Sequence, residues 1–191
     1  VIATPVQTAL FPRLAQLQDK PDDLRALVMA STIGQAALVF PAMAAAAAAS
    51  PAVFEILLSA RWGEAGLVFS ALAIAGMVQV ITNFNSSLLQ AIGRTDTRLR
   101  ITFEFTLIWA IAALLSAQFG LIAVAATFSA VSLLYLPRSL TVLLERLQCS
   151  LWDYLKALAA PALVSLAIVV AHLMITRWLH LNNWQELAVV V

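Results

Sequence analysis

From Leu67 to Ile92 the chain runs for 26 residues without a charged side chain. At about 1.5 Å per residue, a helix of that length crosses a hydrocarbon layer about 30 Å thick with room to tilt. The second half of the stretch is not uniformly apolar. It carries Gln79, Thr82, Asn83, Asn85, Ser86, Ser87 and Gln90, and four of these, Gln79, Asn83, Ser86 and Gln90, step by four, three and four. One helical face therefore presents four polar side chains. Such a face cannot meet lipid, where a polar group without a partner costs on the order of several kcal/mol. Two readings remain: one wall of a hydrophilic cavity, or interhelical hydrogen bonds that stabilise by about 0.5 to 2 kcal/mol each.

The rest of the chain is equally apolar. Hydrophobic residues make up 62% and charged residues 11%, with a mean hydropathy of +0.93, beyond what the core of a soluble domain requires. The fold class that follows is all-α, a polytopic transmembrane helix bundle. The net charge of +1 offers no basic surface for nucleic acid. Cys149 is the single cysteine, which excludes an internal disulfide or a cysteine-based metal cluster. The chain begins at Val1 and ends in the short apolar run Leu187–Val191, so it reads as a fragment of a longer protein.

In chain order the reading is a single transmembrane unit over 1–191. A partial span covers 1–10, complete spans cover about 27–49, 67–92, 101–117, 121–136 and 157–175, and a partial span covers 187–191. Pro21 with Asp22 and Asp23 suits the first turn of a helix. Ala44 to Ala49 has almost no side-chain bulk and invites close approach of a neighbour. Ser50 to Glu64 reads as a connector, with Trp62 as an interfacial anchor. Gly93 stands at a C-cap position and Gln118-Phe119-Gly120 is the natural turn between two short spans. Leu140, Leu143, Leu144, Leu147, Leu151 and Leu155 recur at helical spacing and suggest a surface helix over about 138–152, with Ser150 and Asp153 as a capping pair for the next segment.

Lys and Arg total eleven, and nine of them fall in three connectors, 11–26, 93–100 and 137–156. Arg61 and Arg177 lie in the alternate connectors. By the positive-inside rule the three rich connectors are cytoplasmic.

No catalytic constellation is visible: there is no glycine-rich phosphate loop, no HExxH and no nucleophile elbow. His172 and His180 read as packed and interfacial side chains, so neither a metal site nor a cofactor is expected. Glu104 is an acid within a span and hence a candidate for ion coupling, although Arg100 one turn away makes it first an interfacial ion partner.

Several short motifs fall in a recognisable order: Leu10-Phe-Pro-Arg-Leu-Ala15 at the end of a span, Arg61-Trp62 with Ala65, then Leu88-Leu89 and Ala91-Ile-Gly-Arg94. Over roughly residues 4 to 176 the chain resembles the polysaccharide-transport branch of the multidrug/oligosaccharidyl-lipid/polysaccharide exporter superfamily, the Wzx-type oligosaccharide flippases. It departs from that pattern where Ser59 and Ala60 replace the glycine often found ahead of the Arg-Trp pair. The resemblance implies two six-helix lobes around a cavity that opens alternately to each side, of which this chain is most of the second lobe. It also implies a bacterial inner-membrane protein that is not an enzyme and that moves polyprenyl-diphosphate-linked oligosaccharide repeat units outward, alongside a polysaccharide polymerase and glycosyltransferases.

In that setting Gln79, Asn83, Ser86 and Gln90 line the substrate path. Arg94, four residues beyond Gln90, and Arg13, after the Phe-Pro break, are the candidates for the diphosphate. The rival readings are an ion-coupled multidrug exporter of the same superfamily, a membrane-embedded glycan polymerase or acyltransferase, and a scaffold subunit in which the stripe is packing alone.

Overall fold

The computed structural model describes residues 16–17, 20–91 and 93–179. Helix α1, Pro21–Leu58, opens with Pro at its first position, where the missing N–H costs nothing, and with Asp22 and Asp23 against the positive helix end. It continues as α2, Gly63–Ala91; α3, Thr95–Ser116; α4, Leu121–Leu147; a short α5, Leu151–Ala157; and α6, Ala159–Leu179. Single 3-10 turns, Ala60–Trp62 and Ala117–Phe119, join α1 to α2 and α3 to α4. Five helices are long and apolar enough to cross a membrane, and the protein is an all-α, multi-pass membrane bundle.

The elements depart from the sequence-based expectation in two places. Helix α1 is 38 residues long and runs through Pro41 and Pro51, so the segment expected as a connector from Ser50 onward is helical to Leu58. Pro51 has no N–H to give the Ala47 carbonyl, four residues back. The hydroxyls of Ser50 and Ser70 stand at 2.9 and 2.8 Å from that oxygen and take the place of the lost bond. The second departure is the leucine-rich segment expected as a separate surface helix over 138–152. Its first ten residues are the end of α4, which passes unbroken through Pro137, and Leu140, Leu143 and Leu147 are buried in the core. A helical apolar stripe has the same period whether it covers a membrane surface or a neighbouring helix, so periodicity alone did not distinguish them.

Helix ends follow local chemistry. Gly93, at φ 73°, closes α2: its N–H donates to the Gln90 carbonyl at 3.1 Å and the Arg94 N–H to the Leu89 carbonyl at 2.8 Å, the two bonds of a Schellman cap. The same pair of bonds ends α4, from Gln148 N–H to Glu145 and from Cys149 N–H to Leu144, with Gln148 at φ 48° where glycine is usual. Ser150 caps α5 by accepting from the Asp153 N–H at 3.1 Å.

The core sits at one end of the bundle. Leu24 and Val28 of α1, Ile81 and Leu88 of α2, Leu136 to Leu147 of α4, Tyr154 of α5 and Leu158 meet there. This is the end at which the Arg/Lys-rich connectors gather. Tyr154 is buried and its hydroxyl donates to Thr32 Oγ1 at 3.4 Å; burial pushes its phenol above the usual range, so it remains neutral.

Helix α2 lies at the centre, packed on α1 on one side and on α4 on another, while α3 leans on α4 and α6 on α1. At the α1–α2 crossing, a Cβ on Gly66 would lie 2.6 Å from Pro51 Cα, so only glycine allows that approach. Helix α3 touches α2 sparingly, and the gap between them is where the polar face of α2 points.

Candidate functional site

One face of α2 forms a wall of a cavity of about 280 Å³ between α2, α3 and α4. Of its residues, Ala75, Val78, Gln79, Thr82, Asn83, Ser86 and Leu89 recur by threes and ones as a single helical face must, and Asn85 borders that face on the side of α4. Opposite stand Arg98, Ile101, Thr102 and Phe105 of α3, and α4 contributes Phe128, Ser132, Tyr135, Leu136 and Ser139.

The structure thus gathers Gln79, Asn83 and Ser86 of the expected stripe on one cavity wall. Gln90 is half-buried beyond the lining, and Arg94 is exposed. The extrapolation from Gln90 to Arg94 fails because the positive φ at Gly93 ends α2, and Arg94 no longer belongs to the helical face. The cation that does line the cavity is Arg98, one turn into α3. Arg13 lies outside the described residues, as do the partial spans at 1–10 and 187–191.

The lining residues of α4 were not singled out by sequence, although a signal was present. Phe128, Ser132, Tyr135 and Ser139 step by four, three and four, the same spacing as the stripe on α2. Three of these four are small or hydroxylated residues of kinds common in membrane helices, so the repeat is faint beside amides.

Hydrogen bonds tie the walls together. Asn85 is 3% exposed and its Nδ2 donates to the Ser139 carbonyl, joining α2 to α4. Nearer the other end, the buried Ser129 hydroxyl donates to the Ala71 carbonyl and accepts from the Ala75 N–H at 3.3 Å, spanning both ends of one rung of α2. The α3–α4 wall is held by Glu104. Its carboxylate accepts from Arg100 Nε at 2.9 Å, from Arg138 Nη2 at 3.1 Å and from the Tyr135 hydroxyl at 2.9 Å. Glu104 is therefore the centre of a local ion cluster, as its distance from Arg100 suggested, and the cluster reaches across to α4. Phe128 meets Phe105 and Trp109 edge-on, with centroids 6.1 and 5.5 Å apart, and Phe105 lies 5.6 Å from Tyr135. Phe105, Phe128 and Tyr135 make the aromatic side of the cavity, with Trp109 packed on Phe128 outside the lining.

The arrangement is chemically one-sided. Amides and hydroxyls face an aromatic side, an arginine stands at the basic end, and the one nearby carboxylate is already bonded by two arginines and a phenol. Such a surface can hold a neutral polar group by hydrogen bonds and an anion at Arg98.

Residues 1–66 match the family of polysaccharide biosynthesis proteins. The match takes in the Phe-Pro-Arg and Arg-Trp motifs and all of α1, and it supports a role in polysaccharide biosynthesis or export. The cavity residues lie beyond the matched region. No curated protein and no solved structure matches the chain.

Proposed function

We propose that this chain is one half of a flippase that moves polyprenyl-diphosphate-linked oligosaccharide across the bacterial inner membrane by alternating access, without covalent chemistry. The observation that carries the reading is the cavity itself, with amides and hydroxyls on its α2 wall, set between helices whose outer faces are apolar. Each sugar hydroxyl stripped of water without replacement costs about 1 to 3 kcal/mol, so a headgroup with many hydroxyls faces a large barrier in bare lipid. Gln79, Asn83, Thr102 and Ser86 supply replacement partners, and the aromatic side offers an apolar face for a pyranose ring. The diphosphate is met by Arg98 in the place first assigned to Arg94, and the lipid tail stays outside the bundle. In the same reading the connectors at 11–26, 93–100 and 137–156 face the cytoplasm, and the partners are the polymerase and glycosyltransferases that make and consume the repeat unit.

The ion-coupled drug exporter has less support. Glu104 is the acid it would use, and three donors hold that carboxylate in place.

The test is deletion of the complete gene in its host, with lipid-linked oligosaccharide measured on the cytoplasmic leaflet and polysaccharide at the surface. Accumulation inside and loss outside are expected, restored by the wild-type gene and not by the Gln79→Leu/Asn83→Leu double variant inserted at equal level. Normal surface polysaccharide from the double variant would remove the cavity from the path.

A further inference from the structure

Arg100 of α3 and Arg138 of α4 share one carboxylate. Both pair with Glu104, at 2.9 and 3.1 Å, and among the described residues no other acid pairs with either arginine. Between Glu104 and Arg138 the chain carries no charge, so α3 and α4 leave the apolar layer at one level and set the two guanidinium groups at its edge. Both are open to the surroundings: the arginine side chains are 76% and 42% exposed, against 28% for Glu104. Arg138 also donates to Thr141 Oγ1 at 3.4 Å, while the Nη groups of Arg100 have no partner among the described residues.

Charge does not close locally. From 94 to 138 the chain carries four arginines, Arg94, Arg98, Arg100 and Arg138, and two acids, Asp96 and Glu104. Arg98 lines the cavity, and Arg100, two residues on, lies about 200° around the helix on the opposite side. Arg100 heads an apolar face. Phe103, Leu107, Ile111 and Leu114 follow it by threes and fours, and on α4 Leu134 stands one turn before Arg138. All five are more than half exposed. A pair of under-neutralised guanidinium groups at the membrane edge, above a long uncovered apolar surface, is complementary to a phosphate that carries acyl chains.

We propose that the outer side of the α3–α4 hairpin binds an anionic phospholipid, its phosphate bridging Arg100 and Arg138 and its chains lying along Phe103, Leu107 and Leu134. The phosphate supplies negative charge that the arginine pair lacks. Glu104 holds the two guanidinium groups in place and, as a like charge beside the phosphate, limits the attraction. A lipid with net negative charge is preferred over a zwitterionic one, whose ammonium group meets the arginines as well. The surface is separate from the cavity, so the proposal does not depend on what the cavity carries.

The full-length protein, purified free of lipid in neutral detergent, is titrated with phosphatidylglycerol and with phosphatidylcholine of the same acyl chains, and bound lipid is counted by native mass spectrometry. The wild type is expected to hold phosphatidylglycerol on the order of tenfold more tightly. Arg100→Gln and Arg138→Gln each weaken phosphatidylglycerol about fivefold and leave phosphatidylcholine unchanged. Glu104→Gln loosens the α3–α4 hairpin yet binds phosphatidylglycerol more tightly, by a similar factor. That opposition separates a lipid site from a cluster that only holds helices together, in which all three variants would lose. Should Arg138→Gln not fold, the exposed Arg100 and Glu104→Gln still carry the two signs.

Equal affinity for the two lipids would overturn the proposal and leave this surface to another part of the full-length chain or to a protein partner. A Glu104→Gln variant that loses phosphatidylglycerol along with the arginine variants would overturn it too. So would displacement of the bound lipid by an equal concentration of inorganic phosphate, which would show that the arginines take the anion without the chains.

Discussion

At the scale of residues, the α1–α2 crossing shows how one substitution-sensitive position supports another. Pro51 removes a donor, Ser50 and Ser70 restore bonds to the stranded Ala47 carbonyl, and their hydroxyls, 2.7 Å apart, reach that carbonyl only because Gly66 lets the helices close. Gly66→Ala is expected to destabilise the protein by about 1–3 kcal/mol, because the added methyl meets backbone that cannot swing away. Gly34→Ala is the contrast. Nothing lies within 4 Å of a Cβ there, so it should be neutral or stabilising by up to about 1 kcal/mol. Thermal unfolding of the two variants in the same detergent checks the pair, and equal losses would contradict the close-approach account. The bulk-free run from Ala44 to Ala49 already pointed to such a crossing. Its partner, Gly66, could not be named from sequence, because spacing along one helix does not say which neighbour arrives at which depth.

At the scale of elements, α3 and α4 are fastened as a hairpin by the Glu104 cluster, and α2 is fastened to α4 by Asn85 and Ser129. Glu104→Gln removes the charge that balances Arg100 and Arg138. The expected result is a lower unfolding temperature with an unchanged pH profile of export; a shifted profile with intact stability would return Glu104 to ion coupling. The end of α4 offers a separate test. Gln148 holds a left-handed conformation that costs a non-glycine residue about 1 kcal/mol, so Gln148→Gly should stabilise by a similar or smaller amount, partly offset by the looser unfolded chain. An unfolding curve that moves down instead would mean the Gln148 side chain contributes a contact that outweighs the strain.

At the scale of the whole molecule, the alternation of five long apolar helices with short turns sets the two ends of the bundle apart. The core and the basic connectors share one end, and the cavity opens beside α3, the helix least packed against α2. With the positive-inside rule, a periplasm-dependent reporter fused in the full-length gene after Gln118 should be active and one fused after Asp96 inactive. The reverse pattern would invert the proposed direction of the path.

The sequence by itself determined that the chain is a helical membrane bundle, because uncharged runs of span length have no other stable form in lipid. It also determined which face of α2 is polar, since one helix fixes the relative directions of its own side chains. Only the tertiary structure decided what that face meets. The place of Arg98, and not Arg94, on the cavity lining, the pairing of Asn85 with Ser139, and the burial of the α4 leucines all depend on contacts between helices distant in the chain. Those contacts are set by how the small residues and hydrogen bonds of several helices come into register together, and no single helix carries that information.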